Sequence, residues 1–382
     1  VAGVGLLTGG LDAIAPIITA FFLLTYVAVN GVVLLEQRLG MISFRPTFAV
    51  PSVVPLVGLA ASATALVLAS PRPVLLGGLV GLLALYLHLT RKDLTASFET
   101  VRSGIPVAIA SWAARRASAQ GRTMRAWRPE VLLAVPDASE SLHAARLARA
   151  IAGAHGSVRL MAVGAHGVPS SVQDLAARLV AAGTFTTTMA VSSTRVGESL
   201  KTALEAMQGD PFPPNLVLLD VAQATEEELR ATHEACRGLH VGLGLFVDHI
   251  GEHAGGVDVW LSDRSPDWTP KLHDTNLDLP VLVAWLVAGT WGAPLRLVTA
   301  VRQDPEQARA FLRQVASACR LPAELEVEAG PFRERLRARP AADLHIFGMP
   351  LDIQRERLVE LAEAAGGPCL FLMDSGKESA FA

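Results

Sequence analysis

Hydrophobic and polar positions divide the chain into two regimes. Up to Thr90 apolar residues run almost unbroken, and beyond Arg91 short apolar runs alternate with Glu, Asp and Arg. Ala13 to Leu35 carries no charge, and at about 1.5 Å per residue such a run covers the roughly 30 Å of hydrocarbon in a bilayer. Ala49 to Ala69 and Pro73 to Thr90 are two further uncharged runs, the last bounded by Arg72 and by Arg91-Lys92. The pattern predicts a membrane domain over 1–90, with spans at 13–35, 49–69 and 73–90. Leu94 to Gln120 places Phe98, Val101, Ile105, Ile109 and Trp112 at spacings of three and four, which predicts an amphipathic helix bent at Pro106. It forms the core of a linking segment over 91–126.

From Trp127 onward the period shifts between strand and helix. Val131–Val135, Ser157–Val163, Thr184–Val191, Leu216–Val221 and Val241–Val247 are apolar runs bounded by turn residues and read as buried strands. Helical spacing separates them, as in Ala144, Leu147, Ala148, Ile151 and in Val172, Leu175, Ala176, Leu179. The order then repeats, with strands at Val257–Leu261, Leu295–Val301, Leu325–Glu328, Leu344–Phe347 and Cys369–Met373. Helices are expected near Leu277–Ala288, Pro305–Ala318 and Ile353–Ala364. The expected fold is α/β, with two doubly wound parallel-sheet halves at 127–255 and 256–382. Leu277–Ala288 is apolar enough to suggest a fourth span but too short to cross a bilayer.

Charge and composition narrow the setting. The 382 residues are 51% hydrophobic with a net charge of -3, and no basic stripe with interleaved aromatics points to nucleic acid. Arg38 and Arg45 in the loop Glu36–Thr47, and Arg91, Lys92, Arg102, Arg115 and Arg116 after the third run, outweigh Arg72 on the other side. The positive-inside rule then places that loop and the long tail in the cytoplasm, so that Val1–Gly10 approaches from outside as the tail of an earlier helix. Cys236, Cys319 and Cys369 are widely spaced, as suits a reducing compartment.

Candidate chemistry is sparse. There is no GxxxxGK[ST] loop, GxSxG elbow, HExxH or CxxC, so no enzyme activity and no cofactor are expected. Gly242-Leu243-Gly244-Leu245-Phe246 falls inside a strand and is no dinucleotide fingerprint. His233, Cys236 and His240, followed by His249 and His253, share a helical spacing that makes a metal site conceivable, but a fourth ligand at a recognised spacing is missing. The carboxyl ends of strands near Pro136–Ser139 and Gly164–Gly167 are where such a sheet can hold a nucleotide, with an inherited fold lacking any ligand as the alternative. Small residues permit close helix packing at Gly58, Ser62 and Ala65 and in the Gly77/Gly81 GxxxG, either between chains or within one bundle. Thr19, Thr25, Tyr26 and Asn30 are polar groups in the first span, suited to an ion path or to hydrogen bonds between helices. The linking helix suits anionic headgroups or a partner chain.

Several phrases carry a family resemblance. Leu11-Asp12-Ala13-Ile14-Ala15-Pro16-Ile17-Ile18, with Phe21-Phe22-Leu23-Leu24-Thr25-Tyr26 and Asn30, resembles the tenth membrane helix of the cation-chloride cotransporters. Ser43-Phe44-Arg45-Pro46-Thr47-Phe48 resembles their Arg-Pro loop. Trp127-Arg128-Pro129, Val257-Asp258-Val259-Trp260 and Phe347-Gly348-Met349-Pro350 resemble phrases of their cytoplasmic domain. Asp93-Leu94-Thr95-Ala96-Ser97 departs from a Trp-Gly phrase usual in the family. The resemblance implies the last three of twelve spans of an inverted-repeat secondary transporter of the amino acid, polyamine and organocation superfamily. It further implies chloride symport with sodium, potassium or both, and a regulatory domain like universal stress proteins. A homodimer is expected, with Gly58, Ser62, Gly77, Gly81, Phe98, Val101, Ile105, Ile109 and Trp112 as candidate packing residues and no ion-binding residue in these helices. The alternatives are an amino-acid permease with a similar tail and a membrane-tethered nucleotide sensor.

Overall fold

The computed structural model describes residues 11–39, 51–69, 109–116, 127–164, 166–193, 195–249, 255–261, 277–340, 342–350 and 353–380. Two compact units result, Val1–Gln120 and Gly121–Ala382.

In the first unit, α1 (Leu11–Leu39) and α2 (Val53–Ala69) pack on each other. A Cβ on Gly58 would stand 2.6 Å from Asn30 Oδ1, so a larger residue would force the Asn30 side chain aside at this crossing. Gly58 thus serves packing within one chain. The expected span at 49–69 begins later, at Val53. Pro51 accepts the Val54 N–H at 2.9 Å in an opening turn, and Pro55 sits in the first turn, where a missing N–H costs nothing. Among the described residues no helix is long and apolar enough to cross a membrane, so the three expected spans find no support there. The 17 residues of α2 reach only about 26 Å at 1.5 Å each, and the third expected span, 73–90, lies outside the described residues. Thr25 Oγ1 donates to Phe21 O at 2.9 Å and Asn30 Nδ2 to Tyr26 O at 2.8 Å. Those two polar groups therefore bond to their own helix, contrary to the expected ties between helices.

The second unit is built on ten strands. The first half contains β1 (Glu130–Val135), α3 (Leu142–Ala152), β2 (Ser157–Val163), α4 (Ser170–Ala181), β3 (Phe185–Val191), α5 (Val196–Met207), β4 (Leu216–Asp220), α6 (Glu226–Leu239) and β5 (Gly242–Val247). The second contains β6 (Val257–Trp260), α7 (Asp278–Trp291), β7 (Leu295–Val301), α8 (Pro305–Ala318), β8 (Glu324–Ala329), α9 (Phe332–Ala338), β9 (Leu344–Gly348), α10 (Arg355–Ala365) and β10 (Cys369–Met373). Each of the ten expected strands is present, displaced by at most one residue at either end, whereas α9 has no counterpart in the expected helices.

The halves do not form separate sheets. One sheet runs β3-β2-β1-β4-β5-β10-β9-β6-β7-β8, so each half repeats the same doubly wound strand order. The two join where β10 pairs antiparallel with β5, Phe371 opposite Leu245 and Leu372 opposite Gly244. All other pairings are parallel. Both joining strands are apolar throughout, and pairing them removes two edges that would otherwise expose unpaired N–H and C=O groups. The outer edges, β3 and β8, are instead half-exposed and rich in Thr and Glu.

Alternation along each strand feeds two cores. Val131, Leu133 and Val135 face one cluster with α3, α4, α7 and α8, while Leu132 and Ala134 face the other, with α5, α6 and α10. Each cluster draws side chains from both halves. The glycines of β5 make this continuity possible: a Cβ on Gly242 would stand 2.9 Å from Leu279 Cδ2, and one on Gly244 3.1 Å from Leu218 Cδ1. Thr290 Oγ1 adds a bond to Ala150 O at 3.0 Å, tying α7 to α3. Apolar α7 is therefore a core helix laid across the join, buried at Leu279, Val281, Val283, Ala284 and Val287.

Candidate functional site

In a doubly wound half the ligand crevice opens where strand order reverses, between β1 and β4. The loop after β1 is closed on itself: Asp137 Oδ1 accepts the Ser139 N–H at 2.7 Å and the Ser139 hydroxyl at 2.6 Å. Those bonds hold the Asp137 carboxyl below its usual range. After β4, Asp220 accepts the Ala222 N–H at 2.9 Å. Burial first, and then Asp248 and Glu140, push its carboxyl up, while the Ala222 N–H bond partly opposes them. His143 Nδ1 pairs with the Asp248 carboxylate. Asp220, Asp248 and Glu140 thus crowd one another, with His143 bonded to Asp248. Gly164, at the neighbouring loop, gives its N–H to Val191 O and Ser193 O. A polyphosphate would meet repulsion and occupied donors here, the reverse of the free N–H cradle that phosphate sites present.

The spaced set on α6 does not converge. Cys236 is fully buried in the core and its thiol is pushed up to about 12 by burial. His233 is half-buried, with its pKa lowered by burial and then by Arg237. His240 ends the helix in the left-handed conformation, φ 53°. His249 lies beyond β5, and His253 is outside the described residues. No group of three or more His, Cys, Asp or Glu suited to a metal occurs among the described residues.

The charge that matters structurally lies in the second half and was not singled out by sequence. Asp258 on β6 has no exposed surface; Arg296 Nε and Arg339 Nε each reach its carboxylate at 2.5 Å. Arg339 also bonds Glu326 at 2.6 Å and Glu328 at 3.2 Å on the edge strand β8. His345 on β9 is buried beside them, and burial drives its pKa down to about 4 despite Asp258. Trp260 Nε1 donates to His345 Nδ1 at 3.3 Å. Trp260 stacks at 6.2 Å on Phe347, and Phe347 stacks at 5.3 Å on Phe371. The phrases Val257–Trp260 and Phe347–Pro350 therefore meet in one buried cluster. The available signal was a lone Asp within an apolar strand, which cannot stay charged in a core unpartnered.

Of the candidate packing residues, Ser62 is half-buried on α2. Ile109 and Trp112 are exposed on a helical segment over 109–116, where the Arg116 guanidinium lies 6.0 Å from the Trp112 ring. Gly77, Gly81, Phe98, Val101 and Ile105, with Pro106, lie outside the described residues.

Comparison with known proteins follows the same two halves. Residues 133–252 match the profile of the first part, and residues 253–381 that of the second part, of the C-terminal domain of prokaryotic cation-chloride cotransporters. No curated protein matches the chain. A solved structure of the cytoplasmic domain of a prokaryotic cation chloride cotransporter is similar at 25% identity and a TM-score of 0.59, over 66% of this chain and 98% of that one. A universal stress protein from Archaeoglobus fulgidus DSM 4304 aligns at 11% identity and a TM-score of 0.39, over 64% of this chain and 96% of that one. With both C-terminal profiles matched in order along one continuous sheet, the chain belongs to the prokaryotic cation-chloride cotransporter family.

Proposed function

We propose that this chain is the C-terminal part of a secondary transporter that moves chloride together with sodium, potassium or both, and that its α/β body serves assembly and regulation. The observation that carries the reading is the ordered pair of family matches over 133–252 and 253–381. The acidic, self-bonded crevice supports a structural body over a catalytic or nucleotide-sensing one.

The membrane reading of α1 and α2 is part of the proposal. Ile18, Phe21, Phe22, Val29 and Val32 on α1, and Val53, Val54, Val57, Val67 and Leu68 on α2, expose large apolar side chains. A water-facing helix pair does not carry such a surface, and lipid would cover it. The similar solved structure is a cytoplasmic domain, and the same address for this body fits its three free, buried cysteines.

The test is uptake by vesicles containing the whole transporter. Rubidium or sodium entry should require chloride, and amino-acid uptake without chloride dependence would point to a permease instead. The body should also dimerise in sedimentation at high concentration. A strictly monomeric profile would remove assembly from its roles.

A further inference from the structure

A groove of about 530 Å³ opens on the first half among α3, α4 and α7. Its floor is apolar, from Leu142, Leu175 and Leu179. Arg146, Arg149 and Arg178 line its sides, with Trp291 beside them. None of the three arginines makes an ion pair among the described residues, and Trp291 keeps 38% of its surface exposed. Arg149 and Arg178 occupy the last turns of their helices, where a cation complements the helix dipole. That accounts for their place along each helix, but not for their convergence with Arg146 and an indole on one apolar trough.

We propose that this groove binds an anionic phospholipid, the three guanidinium groups holding the headgroup phosphate and the leucine floor with Trp291 taking the start of an acyl chain. Guanidinium forks match phosphate oxygens in pairs. An indole at the mouth suits the boundary between headgroup and hydrocarbon. A soluble anion would use the arginines and leave the floor uncovered, whereas an amphiphile uses both. The inference rests on the membrane reading above only in that lipid is then at hand.

The α/β body, a compact unit over Gly121–Ala382, is the species to test. It should co-sediment with vesicles of equal phosphatidylcholine and phosphatidylglycerol, less so at high salt, and not with phosphatidylcholine alone. Replacing Arg146, Arg149 and Arg178 together by Ala should weaken binding on the order of a hundredfold, from about 1 kcal/mol per basic residue at an anionic surface. The same charge loss at exposed Arg302, Arg309 and Arg313 should leave most of the binding intact. In wild type a brominated acyl chain should quench a part of the fluorescence that Trp291→Phe loses. Equal loss in both triple variants would reduce the effect to net charge and overturn the groove. Displacement by millimolar inorganic phosphate, without quenching by brominated chains, would make it a free-anion site and overturn the lipid. Failure here beside intact chloride-dependent uptake would sink this inference alone.

Discussion

Replacing Asp258 by Ala should destabilise the α/β body by about 3–5 kcal/mol. The carboxylate is fully buried and meets two guanidinium groups at 2.5 Å, and removing one partner of a buried pair costs about 3–5 kcal/mol because charge is left without compensation. The remaining arginines are not equally stranded. Arg296 keeps 19% of its side chain in water, while Arg339 keeps 5% and retains Glu326 and Glu328. The loss should therefore fall in the lower half of that range. Arg296→Ala should cost less, about 1–2 kcal/mol, since Asp258 still holds Arg339. Glu326→Ala, at a partly exposed rim, should cost under about 1 kcal/mol. The assay is urea unfolding of the body followed by circular dichroism. With an m-value of roughly 3 kcal/mol/M, Asp258→Ala should lower the midpoint by about 1 M at unchanged m. In heat the same loss corresponds to a drop of roughly 10 °C. A midpoint shift under about 0.3 M, against that m-value, would refute the view that this cluster holds β6, β7 and α9 together.

Asp374 gives a pH dependence with a defined sign. Burial first, and then Glu378, push its carboxyl up to about 7, although it accepts the Asp278 and Leu279 N–H groups at 3.1 Å. The native state holds this proton after the unfolded chain has lost it, so the contribution is complete below about pH 4 and lost as pH rises through about 7. Urea midpoints of wild type minus Asp374→Asn should fall between about pH 4 and 7 and level off above, and a flat or rising difference across that window would contradict the assignment. His345 has the opposite sign: neutral and buried with its pKa near 4, it should lower stability as pH drops from about 6.5 to about 4, and His345→Gln should remove that slope. Thr225 and Glu228 form a reciprocal cap on α6, and Glu228 also accepts the Val196 N–H of α5 at 2.8 Å. Thr225→Ala should cost about 1 kcal/mol and Glu228→Ala more, because two helix starts lose a partner; equal urea midpoints would disprove the shared cap. Cys236 and Cys369, both buried with thiols pushed well above their usual value, should react with an aromatic disulfide reagent only on unfolding. Prompt modification in the native state would show that the core opens locally.

Strand identity was legible along the chain because it is a local property. Runs such as Val131–Val135 and Cys369–Met373 are short, apolar on both faces and bounded by turns, the pattern of strands buried between two helix layers. Repetition of strand and helix gave the doubly wound halves for the same reason. The phrases around Asp258 and Phe347 also pointed to the family without any knowledge of what those side chains touch. Their roles were not legible: Asp258, Arg296, Arg339 and His345 are up to 87 residues apart in sequence and become partners only when β6, β7 and β9 lie side by side.

The antiparallel β5–β10 join was invisible for a related reason. A strand's own residues state that it is buried but not which edge it meets, and Gly242 and Gly244 acquire meaning only once Leu279 and Leu218 press against them. Helical spacing on α6 left a metal site only conceivable, and the fold disperses the set: the core claims Cys236 and the left-handed helix end claims His240. Sequence by itself determined the local elements and the family, since propensity, period and short phrases are carried by neighbours along the chain. Tertiary structure alone decided which edge pairs with which, where buried charge is balanced, and that the expected crevice is acidic while the arginines gather elsewhere, because each depends on residues that only folding brings together.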